Sequence, residues 1–137
     1  MAYIAVILGL VLLSSLSYGA DECGGKLVGK LKNQKPPILI EGKIFANKDS
    51  TCFELCDFTY DYEAPDMYFW CDKSETFSKE SGFKLESDEY KSENLGKYVN
   101  KKTKACLPKD KKIEDCKVFG LYCYQYSQIF ATAILDL

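Results

Sequence analysis

Seven cysteines, Cys23, Cys52, Cys56, Cys71, Cys106, Cys116 and Cys123, are the residues of this chain best suited to covalent chemistry. An odd set leaves one thiol after intrachain pairing, either free or intermolecular, so a disulfide-linked dimer is one expectation. Cys52 and Cys56 lie four residues apart. On a strand their α-carbons would be roughly 13 Å apart, so they are expected to bond different partners. Cys106, Cys116 and Cys123 lack the paired C-x-x-C spacing of a zinc site, and no metal or cofactor is expected. Connectivity stays open.

The chain contains no histidine. That removes Ser-His-Asp and Cys-His nucleophiles, histidine zinc sites and imidazole acid-base chemistry. Asp57, Asp61 and Asp66 remain as the one carboxylate cluster near aromatic residues, the arrangement found in sugar-cleaving sites. Asp57 and Asp61 fall on a solvent-facing strand side, which favours plain surface charge, and the chain is expected not to be an enzyme. All 18 basic residues are lysines, so the two-pronged contact of arginine with phosphate or guanine is missing and no nucleic-acid partner is expected. Lys101, Lys102, Lys104, Lys109, Lys111 and Lys112 form the natural contact patch for a protein partner, or else solvated loops. A net charge of -2 is too small to steer the chain to a polyanion.

The compartment follows from the leader. Every residue from 4 to 13 is apolar or glycine, and Ser17, Gly19 and Ala20 follow, as in a secretory signal peptide over 1–20. Residues 21–137 then form a single domain in an oxidising, extracellular setting where disulfides are the default. Between Lys117 and Asp136 there is no charge, but the tyrosines, glutamines and serine of that stretch make it a buried terminal strand rather than a membrane span.

The elements that must position these residues read as strands. Leu27, Gly29 and Leu31 alternate with Lys30 and Lys32, residues 33–37 break the pattern, and 38–46 alternates again, giving a hairpin. Thr51 to Glu54 fits a capping box that opens one helical turn. Cys56, Phe58, Tyr60 and Tyr62 fall on one strand face, with Asp57, Thr59 and Asp61 on the other. A turn over 63–66 leads to an aromatic strand over 67–72, and that register sets Phe58 opposite Cys71, with Cys56 diagonal and able to bond Cys71. A short strand follows over 82–86, then a polar segment at 87–94 that reads as loop or short helix, a stretch over 97–107 with Tyr98, Val99 and Cys106 among lysines, and a charged loop at 108–112. Tyr122, Tyr124 and Tyr126 share one strand face. The fold class is mostly β, a small disulfide-stabilised antiparallel β-sandwich. Phe58, Tyr60, Tyr62, Phe69 and Trp70 either fill its core or line a site for a small apolar ligand.

Val28-Gly29-Lys30-Leu31, then Lys35-Pro36, then 40–49 resembles the opening of the secreted transthyretin-like proteins of nematodes. Residues 73–76 and 81–85 are similar to a later strand of that family. The family's usual cysteine after the first strand is Asn33 here, and its H-D-C segment has no histidine to match. The resemblance implies a secreted, non-enzymatic β-sandwich engaged in binding or signalling, and it carries over no catalytic residue. The expected function is binding of a small apolar ligand or an extracellular protein. The alternative is a venom, salivary or host-directed effector that blocks a receptor, channel or protease.

Overall fold

Strand-forming patterns recur along the chain, and the computed structural model, which describes residues 23–91 and 94–137, assembles them into two antiparallel sheets. The expected signal peptide lies outside the described residues. One sheet has the order β1 (Lys26–Lys30), β3 (Ile40–Ala46), β4 (Cys52–Tyr60), β7 (Tyr98–Cys106). The other runs β2 (Lys32–Asn33), β9 (Gln128–Ile134), β8 (Val118–Cys123), β5 (Met67–Asp72), β6 (Phe83–Lys84). This is the expected disulfide-stabilised β-sandwich.

The sandwich is joined along both sides. After β1 pairs with β3, the chain crosses at Leu31, whose N–H still bonds Gly42 O at 2.9 Å, and β2 pairs with β9 of the opposite sheet. On the other side Glu86 and Cys106 exchange backbone hydrogen bonds of 2.8 and 2.7 Å, tying the end of the β6 segment to β7. The long β7 edge carries exposed Lys101, Lys102 and Lys104, charges that limit strand-to-strand aggregation.

The expected β1/β3 hairpin is present. The capping box is not helical: the Asn47 carboxamide oxygen accepts the N–H groups of Thr51 and Cys52 at 2.9 and 3.0 Å, and this closes a tight turn straight into β4. The expected pairing of the 56–62 strand with 67–72 is also absent. Residues 61–66 carry the chain from one sheet to the other, fastened where Tyr60 Oη accepts the Ala64 N–H at 3.0 Å. Alternation tells which face of a strand is apolar but not which sheet holds it, so two adjacent aromatic strands looked like a hairpin.

A second correction lies within β4. Phe53 and Leu55 point into the core, and so do Phe58 and Tyr60, while Cys56 is outside that cluster. A register shift between Leu55 and Phe58, with Asp57 at φ 52°, inserts one residue and changes the parity. Cys56 and Phe58 therefore do not share a face. Thr59, expected on the solvent side, is buried and its hydroxyl accepts the Asn100 N–H at 2.9 Å.

The disulfides complete the frame. Cys23 bonds Cys56, Cys52 bonds Cys106, and Cys71 bonds Cys116. Cys52 and Cys56 do take different partners, as their spacing requires. The Cys56 to Cys71 bond does not form, because the two residues lie on strands of different sheets. Between the sheets, Phe53, Phe58, Phe69 and Phe119 stack in a chain with centroid separations of 5.5 to 5.7 Å, closed by Tyr98 at 4.8 Å from Phe58.

Candidate functional site

The back of the five-stranded sheet carries a second aromatic cluster, separate from the core. Along β5 the inward residues are Met67, Phe69 and Cys71, which leaves Tyr68, Trp70 and Asp72 on the outer face. Period two alone puts them there. On β8, Tyr122 stands opposite Tyr68 and Gly120 opposite Trp70. The Trp70 ring lies 5.0 Å from that of Tyr122 and 5.8 Å from that of Tyr124, and Tyr68 is 6.4 Å from Tyr124 and 5.2 Å from Tyr90. Phe77, from the loop after β5, sits edge-on to Tyr122 at 5.6 Å and fills the space above Gly120.

Two ammonium groups lie over these rings. Lys79 Nζ is 4.2 Å from the Tyr124 centroid and Lys84 Nζ is 4.4 Å from that of Tyr68, within the range where a cation is drawn to a π face. Tyr90 is locked by its hydroxyl, which accepts the Phe69 N–H at 2.8 Å and donates to Leu85 O at 2.9 Å.

Under the cluster lies Asp72, 1% exposed. Its Oδ2 accepts the Trp70 indole N–H at 3.3 Å and the Ser78 N–H at 3.0 Å, and its Oδ1 accepts the Lys73 N–H and the Ser81 hydroxyl, both at 2.7 Å. A buried carboxylate needs such donors. The loop over 73–82 therefore folds back onto the sheet, and Gly82 permits the approach: a Cβ there would collide with Trp70 Nε1 and the Asp72 carboxylate.

The aromatic face opens into a depression of about 510 Å³ lined by Asp66, Tyr68, Trp70, Lys84 and Tyr124. That volume suits a small ligand. A second depression of about 440 Å³ is lined by Gly25, Val28, Ala46, Ile113 and Leu137 among others, and offers no aromatic wall.

The expected apolar face is thus divided. Phe58, Tyr60 and Phe69 are core residues, Trp70 lies on the outer face, and Tyr62 is exposed beside Phe130 at 6.3 Å. Tyr122, Tyr124 and Tyr126 do not share a strand, because β8 ends at Cys123 and the last two fall in the turn to β9. The three aspartates do not meet as a catalytic cluster: Asp57 pairs with Lys43 at 3.3 Å, and Asp66 alone of the three lines the aromatic depression. Lys101, Lys102 and Lys104 lie along exposed β7, where Lys102 pairs with Glu54 at 3.7 Å. Lys109 and Lys112 are exposed on the following loop, and Lys111 sits over the Phe83 ring at 5.2 Å. Cys106 and Cys116 are consumed in separate disulfides, so the trio with Cys123 is not a metal site.

The free thiol is Cys123, 2% exposed on the inner face of β8, with its sulfur donating to Pro65 O at 3.0 Å. Burial pushes its pKa up, opposed by a backbone hydrogen bond from Tyr126. A thiol of this kind reacts slowly. Native protein treated with iodoacetamide is expected to stay unmodified at Cys123 while unfolded protein is labelled at once, as read by intact mass. Equal rates would contradict the burial.

A family model described as Electron transfer DM13 matches residues 30–135. The chain belongs to the DM13 family. No curated protein and no solved structure matches the chain. The DM13 match spans β2 through β9, so it contains the whole aromatic face and every cysteine except Cys23. The residues that suggested a transthyretin-like protein lie on β1, on β3 with the turns flanking it, and on the segment leading into β6.

The buried phenols of this DM13 domain set an alkaline limit. Burial pushes Tyr60 up to about 12 and moves Tyr90 and Tyr98 further in the same direction. A phenol that stays protonated in the fold but ionises near 10 when unfolded stabilises the fold below pH 10. That stabilisation declines as pH rises from 10 through the folded value. Urea midpoints are expected to fall steeply between pH 10 and 12, alongside a late phase in spectrophotometric phenol titration. A flat midpoint across that window would contradict it.

Proposed function

We propose that this chain is a secreted, non-enzymatic electron-transfer domain that takes up a small planar apolar ligand on the outer aromatic face of its five-stranded sheet. The observation that carries the reading is the DM13 match over residues 30–135. The depression at Tyr68, Trp70 and Tyr124 supports it, since aromatic walls favour a flat, apolar partner. Electron exchange is faster over short, fixed separations, and Tyr68, Trp70 and Tyr122 are held in place by the β5/β8 register.

Native mass spectrometry with absorption spectroscopy on protein isolated from the medium tests the binding half of this reading. A non-covalent adduct lost in Tyr68→Ala and Tyr124→Ala supports it. A bare mass with only side-chain absorption contradicts it.

A further inference from the structure

We propose that Trp70 is the residue that gives up the electron in this domain, and that Asp72 takes the indole proton as it does so. The inference rests on the electron-transfer reading and assigns its residues. Trp70 is the one tryptophan of the chain. It is 3% exposed and borders the depression, so an acceptor seated there lies close to it while the ring itself stays shielded from water.

The charges around the cluster select among its rings. Lys84 and Lys79 lie over Tyr68 and Tyr124, and a cation at 4.4 or 4.2 Å makes removal of an electron from those rings harder. Trp70 instead has the buried Asp72 carboxylate at its N–H. All four donors to that carboxylate are neutral, so its negative charge is not cancelled by an ion pair at those bonds. An oxidised indole is stabilised there, because positive charge develops beside a fixed anion in a water-poor site.

The step balances. A planar one-electron acceptor bound in the depression takes one electron from the Trp70 ring and is reduced. The oxidised ring is far more acidic than neutral indole, so its Nε1 proton passes along the existing hydrogen bond to Asp72 Oδ2, leaving a neutral indolyl radical and a carboxylic acid. Tyr124, 37% exposed and 5.8 Å from Trp70, then supplies an electron to the radical as its phenolic proton leaves to solvent in the same step, so that no positive charge builds on the ring under Lys79. Asp72 returns its proton to the indole nitrogen. The oxidising equivalent ends on a surface tyrosine, and Trp70 is restored.

The test is laser flash oxidation of the full secreted chain with a ruthenium polypyridyl photo-oxidant, followed by transient absorption. The unaltered chain should give a neutral indolyl radical, absent in Trp70→Phe. Proton transfer to a positioned base accelerates a step by ~10²-fold or more, so Asp72→Asn should keep the indole radical cation alive about 100-fold longer. Should either variant fold poorly, the unaltered chain in D2O still reads the transfer, as a slower loss of the radical cation. Deprotonation at the same rate in Asp72→Asn, or with no solvent isotope effect, would overturn the proposal. Because the photo-oxidant supplies its own oxidising equivalent, this result is separate from whether the secreted chain exchanges electrons reversibly with mediators, which judges the underlying reading.

Discussion

Replacing Cys71 and Cys116 together by alanine is expected to cost about 4 kcal/mol of stability. Their bond closes a loop with a sequence separation of 45, and the chain-entropy model assigns roughly 4 kcal/mol to a cross-link of that span. Both residues are fully buried, so the truncation also removes packed sulfur from the core. The bond does specific work: it fastens the segment over 107–117, which has one short 3-10 turn at Ile113–Asp115 and little ladder of its own, to β5, an interior strand of the five-stranded sheet. A domain of this size has a total stability of about 5–15 kcal/mol, so the loss takes a large part of it. Urea midpoint and yield of folded protein should both fall sharply. Cys123→Ala is the control. It releases no loop and should cost about 1 kcal/mol. Equal losses in the two variants would mean that the disulfide contributes little beyond burial.

Phe69→Ala is expected to cost about 3–5 kcal/mol, the range for deleting a buried aromatic ring whose surroundings cannot collapse. Phe69 is 0% exposed and meets Phe58 at 5.7 Å, Phe119 at 5.7 Å and Tyr90 at 6.1 Å. Phe58 comes from β4 and Phe119 from β8, so Phe69 links the two sheets, and neither can follow it inward without breaking its ladder. Tyr126→Ala, at an exposed turn position, should stay within about 0.5 kcal/mol. Equilibrium urea unfolding of the pair gives the comparison. A small loss at Phe69 would mean that the core repacks freely.

How far the sequence carried the reading depends on which physical signal each feature leaves. The fold class was legible, as was the β5 strand over 67–72, because aromatic and β-branched runs bounded by turn residues are local signals. The partner of each strand was not. β4 and β5 share an aromatic pattern and a short connection, yet they belong to opposite sheets, and only the packing of the sandwich decides that. The Asp57 bulge was invisible for a related reason: alternation continues smoothly through Cys56, Phe58 and Tyr60, and the extra residue shows only when Phe53 and Leu55 are also required to face inward.

The candidate site was half legible. Trp70 was singled out, but together with Phe58, Tyr60 and Phe69, which point the other way. Strict period-two counting along β5 separates Phe69 from Trp70 and places Asp72 beside Trp70. The serines and glycine at 78, 81 and 82 are the trace left by the loop that returns to hold that carboxylate. Tyr68 and Tyr122 meet only through the β5/β8 register, across a long stretch of chain, and no local pattern announces such a pair.

The central claim is that this domain passes electrons. A mediated one-electron redox titration of the purified chain tests it most directly. Reversible uptake and release of an electron per chain is the predicted result. A chain that exchanges no electrons reversibly with any mediator would contradict the account and leave the aromatic face as a binding surface without redox work.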